Sequence, residues 1–299
     1  MAFGDFYTLE RLIRSIDNPA GDIFLHLDAS HTYKQEDLNA LKNMTKYSQL
    51  NVYSEIKVKW GGKTLIECEL FLMHKAKSGG YGYYHLLSGQ DLLLKPVDQI
   101  QKFFNNCRNK EFLSVDTHPL GGESVVDRID YYHYVTSNRR ITMILDHLIT
   151  GIQRILHIHR IRHTKVMSQL AKGMEWASMT DDFVQCILEE KENIMRFAQH
   201  ALFFDEMYKQ MIYMKHKSEF ELYREIKFDP KEQIMPRCQM EALATLHKVD
   251  WVRGNPYTYT DDDYEELIHS KCMFARKFNS NIDKKIIDRL YAYVSANEV

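Results

Sequence analysis

Residues 81–96 read YGYYHLLSGQDLLLKP: an aromatic and apolar strand that runs into Ser88-Gly89-Gln90-Asp91 and stops at Lys95-Pro96. Open α/β sheets place ligand chemistry at the C-terminal ends of their strands, where a small-residue turn and a lone acid can meet a bound group. Upstream, Trp60-Gly61-Gly62 leads into TLIECELFLMHKA, residues 64–76, whose apolar positions recur at three and four and predict a helix through residue 77. Two glycines ahead of a helix predict close backbone approach to a ligand or a neighbour. Together these stretches point to one connected nucleotide-sugar site.

Reading outward, the first half alternates helix and strand signals. YTLERLIRSI is a short amphipathic helix, Asn18-Pro19-Ala20-Gly21 a turn, and DIFLHLDAS a buried strand ending in an acid. A helix over EDLNALKNM and a strand around NVYSEIKVKW precede the stretch described above. A helix over VDQIQKFFNNC and a strand over EFLSVD follow it. Residues 138–173 are helical and basic in pattern. The last third predicts one helix around DDFVQCILEEKENIMRFAQHA, a second after Phe204-Asp205-Glu206, a third over DDDYEELIHS and a closing helix from Lys284. This punctuation is α/β, with a mixed sheet flanked by helices and a basic helical insertion. Neither an internal repeat nor a low-complexity linker divides the chain.

With 299 residues, 44% hydrophobic, 27% charged and a net charge of −2, the chain is long enough for a sizeable core. Its bulk charge does not favour nucleic acid, so an anion site must be local. Cys68, Cys107, Cys186, Cys238 and Cys272 are odd in number and scattered, without CxxC pairs, as expected for a reducing cytoplasm. The sequence holds no run of roughly 18 to 20 apolar residues and no basic-then-apolar leader, so any membrane contact is expected to be peripheral.

The blocks WGGKTLIECELFLMHKA, YYHLLSGQDLLLKP, GMEWASMTDDFVQCIL, FFDEMYKQMI, DWVRGNPYTYTDDDYEELI and CMFARKF stand in the order found in one family. On these six blocks the chain resembles, over essentially residues 1–290, the core-2/I-branching β-1,6-N-acetylglucosaminyltransferases, glycosyltransferase family 14, which also includes peptide O-xylosyltransferases. It is similar to the short bacterial members. The resemblance implies a single GT-A-like domain over residues 1–299. Residues 1–137 would form the nucleotide-sugar half, 138–172 the insertion and 173–299 the catalytic and acceptor half. It also implies a UDP-sugar donor, inversion at the anomeric carbon and no obligatory metal cofactor. Family members usually begin with an apolar strand ending near a Met-Ala-His type sequence, and Met1-Ala2-Phe3-Gly4 stands at that end. The first family strand is therefore expected to be missing, through an upstream true start or a shortened protein.

Sugar transfer from a nucleotide diphosphate needs a base for the acceptor hydroxyl and positive charge for the departing diphosphate. Glu206 stands where a loop enters a helix, and the resemblance makes it the catalytic base, although Phe204 replaces a proline common among relatives. Acids at that place also favour a helix start through capping and the dipole. Metal-dependent enzymes of this fold carry two acids around the diphosphate, whereas Ser88-Gly89-Gln90-Asp91 has one. The resemblance assigns the metal's role to Lys277 and Arg253; on residues alone, Arg276-Lys277 is also readable as a solvated basic step. Asp28 and Asp91 are candidate donor contacts and equally candidate turn-stabilising acids. Glu111 matches a glutamate that binds acceptor hydroxyls, or is an ordinary strand-edge acid. Trp251 is a candidate stacking surface for an acceptor sugar, while Trp60 and Trp176 read as packing aromatics.

His157 and His159 are two apart and do not share a helix face; His159 and His163 are four apart but lack a third ligand. No metal site is expected. The basic stretch from Arg139 to Lys172 holds seven Arg and Lys residues against Asp146 alone, and is either a solvated face or a rest on an anionic membrane. The function expected is transfer of GlcNAc from UDP-GlcNAc, in β-1,6 linkage, to a glycan, surface polysaccharide or lipid-linked acceptor in the cytoplasm. UDP-xylose or UDP-hexose as donor, or a non-catalytic glycan-binding module, are the alternatives.

Overall fold

In the computed structural model, Asp5 opens α1 (Phe6–Ile16) by accepting the Thr8 N–H, and the helix buries Leu9, Leu12 and Ile13. Residues 1–296 are described apart from 3, 42, 118–123, 135–139 and 227–236, so Arg139 and the boundary expected at 137/138 lie outside the described residues. The chain continues through β1 (Ile23–His26), α2 (Gln35–Leu41), β2 (Leu50–Tyr53), α3 (Lys63–Ala76), β3 (Tyr83–His85), β4 (Asp91–Leu93), α4 (Val97–Asn106) and β5 (Lys110–Glu111). Next come α5 (Ser124–Asp130), α6 (Arg140–Ile155), β6 (Ser178–Thr180), α7 (Asp181–Glu189), α8 (Lys191–Ala198), α9 (Tyr208–Lys215) and β7 (Glu221–Leu222). The last elements are α10 (Arg237–Thr245), β8 (His247–Val249), α11 (Tyr264–Ile268), β9 (Phe274–Arg276) and α12 (Lys284–Ser295).

The class is mixed α/β, but one expected central sheet is replaced, among the described residues, by four small ones: β1-β2, β3-β6, β4-β9-β8 and β5-β7. The strand read from residue 51 to 60 ends at Tyr53 because the buried His26 ring, in place of a ladder carbonyl, accepts the amide N–H groups of Glu55 and Ile56. The apolar run ending in an acid is two strands. Asp91 opens β4 rather than closing β3, since its carboxylate accepts from the Ser88 backbone and hydroxyl and folds 88–91 into a turn. The helix expected across 181–201 breaks at Glu190, whose φ of −85° and ψ of 5° end α7 and start α8.

Three larger apolar cores, with a small fourth cluster of Met174, Trp176 and Val249, hold these elements. The largest packs α3, α7 and α9 around Leu70, Phe183, Met207 and Tyr208. A second lies under β4-β9-β8 and α12, around Leu93, Phe274, Phe278 and Leu290. A third joins α1 to β1. Burial of this kind contributes roughly 25 cal/mol per Å² of apolar surface and dominates the stability of such a fold. Because β8 runs parallel to β9 and β4 antiparallel to it, Val249, Arg276 and Asp91 lie side by side at one end of the three-stranded sheet. Among the described residues no helix is long and apolar enough to cross a membrane.

Candidate active site

Glu206 lies in a 3-10 turn (Phe204–Glu206) that enters α9. Two glycines fix that turn. Gly61 has a φ of +69°, and a Cβ there would come 2.6 Å from the Phe203 ring; the Phe203 N–H in turn bonds the Gly61 carbonyl. Gly173 donates its N–H to the Glu206 carbonyl at 2.9 Å, and a Cβ at 173 would overlap the Ser114 carbonyl at 1.8 Å. The close approach expected of Trp60-Gly61-Gly62 is thus to Phe203, whose ring also meets Trp60 edge-on with centroids 4.7 Å apart.

The Glu206 carboxylate is 29% exposed and is held by two cations, with Arg128 Nη1 at 3.0 Å and Lys172 Nζ at 3.2 Å from Oε2. Neither partner was legible in the sequence. Arg128 comes from α5, a helix of seven residues and too short to show an apolar period, and Lys172 from the basic stretch. The signal that existed for Lys172 was its place next to Gly173 in the GMEWAS block.

Beneath Glu206 lies a set of polar groups in the interior. Lys209 and Glu69 form a fully buried ion pair at 2.9 Å, and Tyr208 donates its hydroxyl to the same Glu69 oxygen. Asp205 is buried, and burial followed by the charges of Glu206 and Glu69 pushes its carboxyl up. Glu175 is raised as well, first by desolvation and then by Asp205 and Glu69. In a site crowded with carboxyls, these two favour the neutral form.

The remaining candidates follow one another along a rim. Asp28, at the end of β1, donates its N–H to Ala2, Met1 accepts the Gly89 N–H, and the Gln90 carbonyl accepts the Phe278 N–H beside Lys277. The Lys277 carbonyl then accepts the Tyr259 N–H. Asp28 turns its carboxylate onto the Ser30 and Val58 amides, which outweigh burial and hold its pKa below the ordinary value. Asp91 is fully buried, with Arg276 Nη1 3.3 Å from Oδ1, so it orients the 88–91 turn and fixes the arginine rather than facing outward. The Arg276 guanidinium also lies 5.0 Å over the Trp176 ring. Lys277 is half-buried and, among the described residues, makes no side-chain hydrogen bond or ion pair. Arg253 stands in the loop after β8 and is gripped by Asp250, Asp263 and Glu266. Trp251, 42% exposed, stands in the same loop.

Backbone hydrogen bonds thus chain the segments of Asp28, Asp91 and Lys277 into one rim with Asp91 buried beneath it, and the Arg253 guanidinium, 5.7 Å from the Tyr259 ring, stands beside that rim in the loop that also carries Trp251. Residues 173–176 connect that rim to Glu206, from the Gly173 bond to the Trp176 ring under Arg276. Glu111 is not on it. Both of its oxygens accept from Thr180, the cap of α7, and burial raises its pKa to about 7. His159 bonds Asp130 at 2.8 Å and meets His163 edge-on, which accounts for that histidine cluster. Among the described residues no three His, Cys, Asp or Glu side chains are arranged to hold a metal ion. A cavity of 590 Å³ lies between α1, β1, α3 and β3 and touches the rim at Met1 and Ser88-Gly89 and the buried polar set at Glu69; its walls mix apolar residues such as Leu9, Ile13 and Leu25 with polar ones such as Asn18, Asp22 and Gln101.

The family model described as Core-2/I-Branching enzyme matches residues 1–270, nine-tenths of the chain and all of the residues just described except Arg276, Lys277 and Phe278. No curated protein matches the chain.

Proposed function

The chain belongs to the Core-2/I-Branching enzyme family, and is on that ground a glycosyltransferase; from this premise we propose that it transfers GlcNAc from UDP-GlcNAc with inversion, Glu206 acting as base. The observation that carries the assignment is the carboxylate of Glu206, partly exposed and steered by Arg128 and Lys172, at one end of a segment whose other end meets the cationic rim. An acceptor hydroxyl oxygen attacks the anomeric carbon from the face opposite the diphosphate. Its proton passes to a Glu206 carboxylate oxygen as the new C–O bond forms. The old bond from the anomeric carbon to the phosphate oxygen breaks, and UDP leaves with the bonding electrons. A positioned base of this kind is worth about 10²- to 10⁴-fold in rate.

Lys277 and Arg253 neutralise the charge that develops on the leaving diphosphate, the role a divalent ion takes in metal-dependent relatives of this fold. Lys277 is the more available of the two, because the three carboxylates around Arg253 already satisfy much of its charge. Asp91 acts through Arg276 and the 88–91 turn, and Asp28 through the loop after β1. Trp251 offers an exposed ring to an acceptor sugar. Glu111, sealed against Thr180, supports α7 instead. The acceptor is a hydroxyl of a glycan or lipid-linked glycan.

A screen of nucleotide sugars for UDP release, with and without glycan acceptors, tests the assignment. UDP-GlcNAc should be turned over fastest. Preference for UDP-xylose or a UDP-hexose would move the donor but keep the chemistry, and no release from any of them would overturn the catalytic reading.

A further inference from the structure

Helix α6 is turned inside out relative to an ordinary surface helix. Its inward stripe is polar: Asp146, Thr150 and Gln153 are all less than 10% exposed. Asp146 binds the His133 ring at 2.7 Å, while Gln153 bonds both the N–H and the carbonyl of Tyr132 at 2.8 and 2.9 Å. Its outward stripe is apolar. Ile144, Leu148, Ile152 and Ile155 follow one another at spacings of four and three, 59%, 59%, 57% and 77% exposed, and Leu156 beyond the helix is 61% exposed. A surface helix normally buries its apolar stripe, and a contiguous exposed one marks a contact surface.

The charge around this stripe selects the occupant. In the described residues from 124 to 172 the acids Asp127, Asp130 and Asp146 are all buried, whereas Arg154, Arg162 and Lys165 are exposed. Asp127 and Asp130 pair from beneath with Arg154 and Arg162, which lowers their charge, so what reaches the surface is of one sign and strongest at Lys165. A second copy docked by the same face would bring two cationic rims together, which is unfavourable. A helix lying with its aliphatic side in the acyl boundary and its basic residues at anionic headgroups meets both demands.

We propose that α6 and the residues after it form a peripheral docking surface for an anionic lipid bilayer. Asp127, which holds Arg154 at the edge of this surface, precedes Arg128, which holds Glu206. The docking face is thus one short helix away from the candidate base, a placement suited to an acceptor presented at the membrane.

Co-sedimentation of the full chain with phosphatidylcholine vesicles, and with vesicles of phosphatidylcholine and phosphatidylglycerol in equal proportion, tests this directly. The protein should sediment with the anionic vesicles and be released as salt rises. Leu148→Asp and Ile152→Asp, at exposed positions where the fold and melting temperature should hold, should weaken binding at least about tenfold, and Lys165→Ala about fivefold. Failure of the wild type to sediment at low salt would overturn the proposal, as would undiminished binding by both aspartate variants. Light scattering that shows a dimer dissolved by Ile152→Asp would assign the face to a second copy and overturn it too. UDP release is scored separately, so a failure of lipid binding and a failure of the catalytic reading are distinguishable.

Discussion

Arg128 Nη1 lies 3.0 Å from Glu206 Oε2, joining residues 78 positions apart in the chain. The guanidinium also stacks 5.2 Å from the Phe203 ring, so the arginine is anchored against the same turn that carries the glutamate. A carboxylate clamped in this way, with Lys172 on the same oxygen, has its direction set before any substrate arrives.

Replacing Glu206 by Gln should lower transfer by about 10²- to 10⁴-fold while UDP-sugar binding, followed by calorimetry, stays within a few-fold of wild type. Arg128→Met should act on the same step less severely, lowering kcat more than it raises the donor KM, and Arg128→Lys should recover part of the loss. Near-normal turnover by Glu206→Gln would remove the glutamate from the chemistry.

Lys277→Met should weaken UDP binding by about 10- to 100-fold, the value of a lost charge-assisted contact to phosphate. Arg253→Gln should cost both affinity and stability, because Asp250, Asp263 and Glu266 would be left facing one another. An unchanged UDP dissociation constant for Lys277→Met would place the diphosphate elsewhere.

Because cationic side chains are assigned the neutralising role, EDTA should change the rate by less than about twofold. Loss of activity in EDTA that manganese restores would transfer that role to a metal ion.

Breaking the ion pair between Glu69 and Lys209 should be costly. Lys209→Met leaves a carboxylate with no cation in a site closed to water, for about 3–5 kcal/mol of lost stability in denaturant unfolding. Adding Glu69→Gln removes that charge and keeps an acceptor for the Tyr208 hydroxyl. The double variant should therefore be more stable than Lys209→Met alone.

Stability should peak on the acid side of neutrality. Burial lowers His85 and His247 to about 4 from 6.5, so the unfolded chain binds more protons there and stability rises with pH up to about 6.5. Glu111, raised by burial to about 7 from 4.5, and Asp205 and Glu175, also raised, act in the opposite sense. Their folded forms hold protons that the unfolded chain has released, so stability present below about 4.5 is lost as pH rises through 7 to 8. Glu241, also raised by burial, acts in the same sense as these carboxyls. Melting temperatures across pH 5 to 9 should fall on the alkaline side, and Glu175→Gln should flatten that fall.

Periodicity placed α1, α3, α4 and α12 closely, because an apolar stripe and a cap are local properties of the chain. Asp5 and Asp283 cap the helices that follow them, and no distant residue is needed to see it. The α/β class and the family followed from blocks of sequence in order, as did Glu206 as the acid at a helix entry. Strand ladders were another matter. β4, β8 and β9 are three residues each, and their order brings 91, 249 and 276 together, which no local pattern contains.

The tertiary structure alone decided what each charged group faces. Asp91 and Glu111 read alike as acids at strand edges, yet one fixes Arg276 and the other is sealed against Thr180. Arg253 and Lys277 read alike as basic residues, yet three carboxylates surround the first and no described side chain pairs with the second. The basic amphipathic pattern of α6 was plain in the sequence, but which stripe faces inward depended on His133 and Tyr132 offering polar partners to Asp146 and Gln153. Sequence sets chemistry and periodicity, since both are carried by neighbours in the chain. Burial and partnership are set between residues far apart, and for a charge those two decide whether it can act.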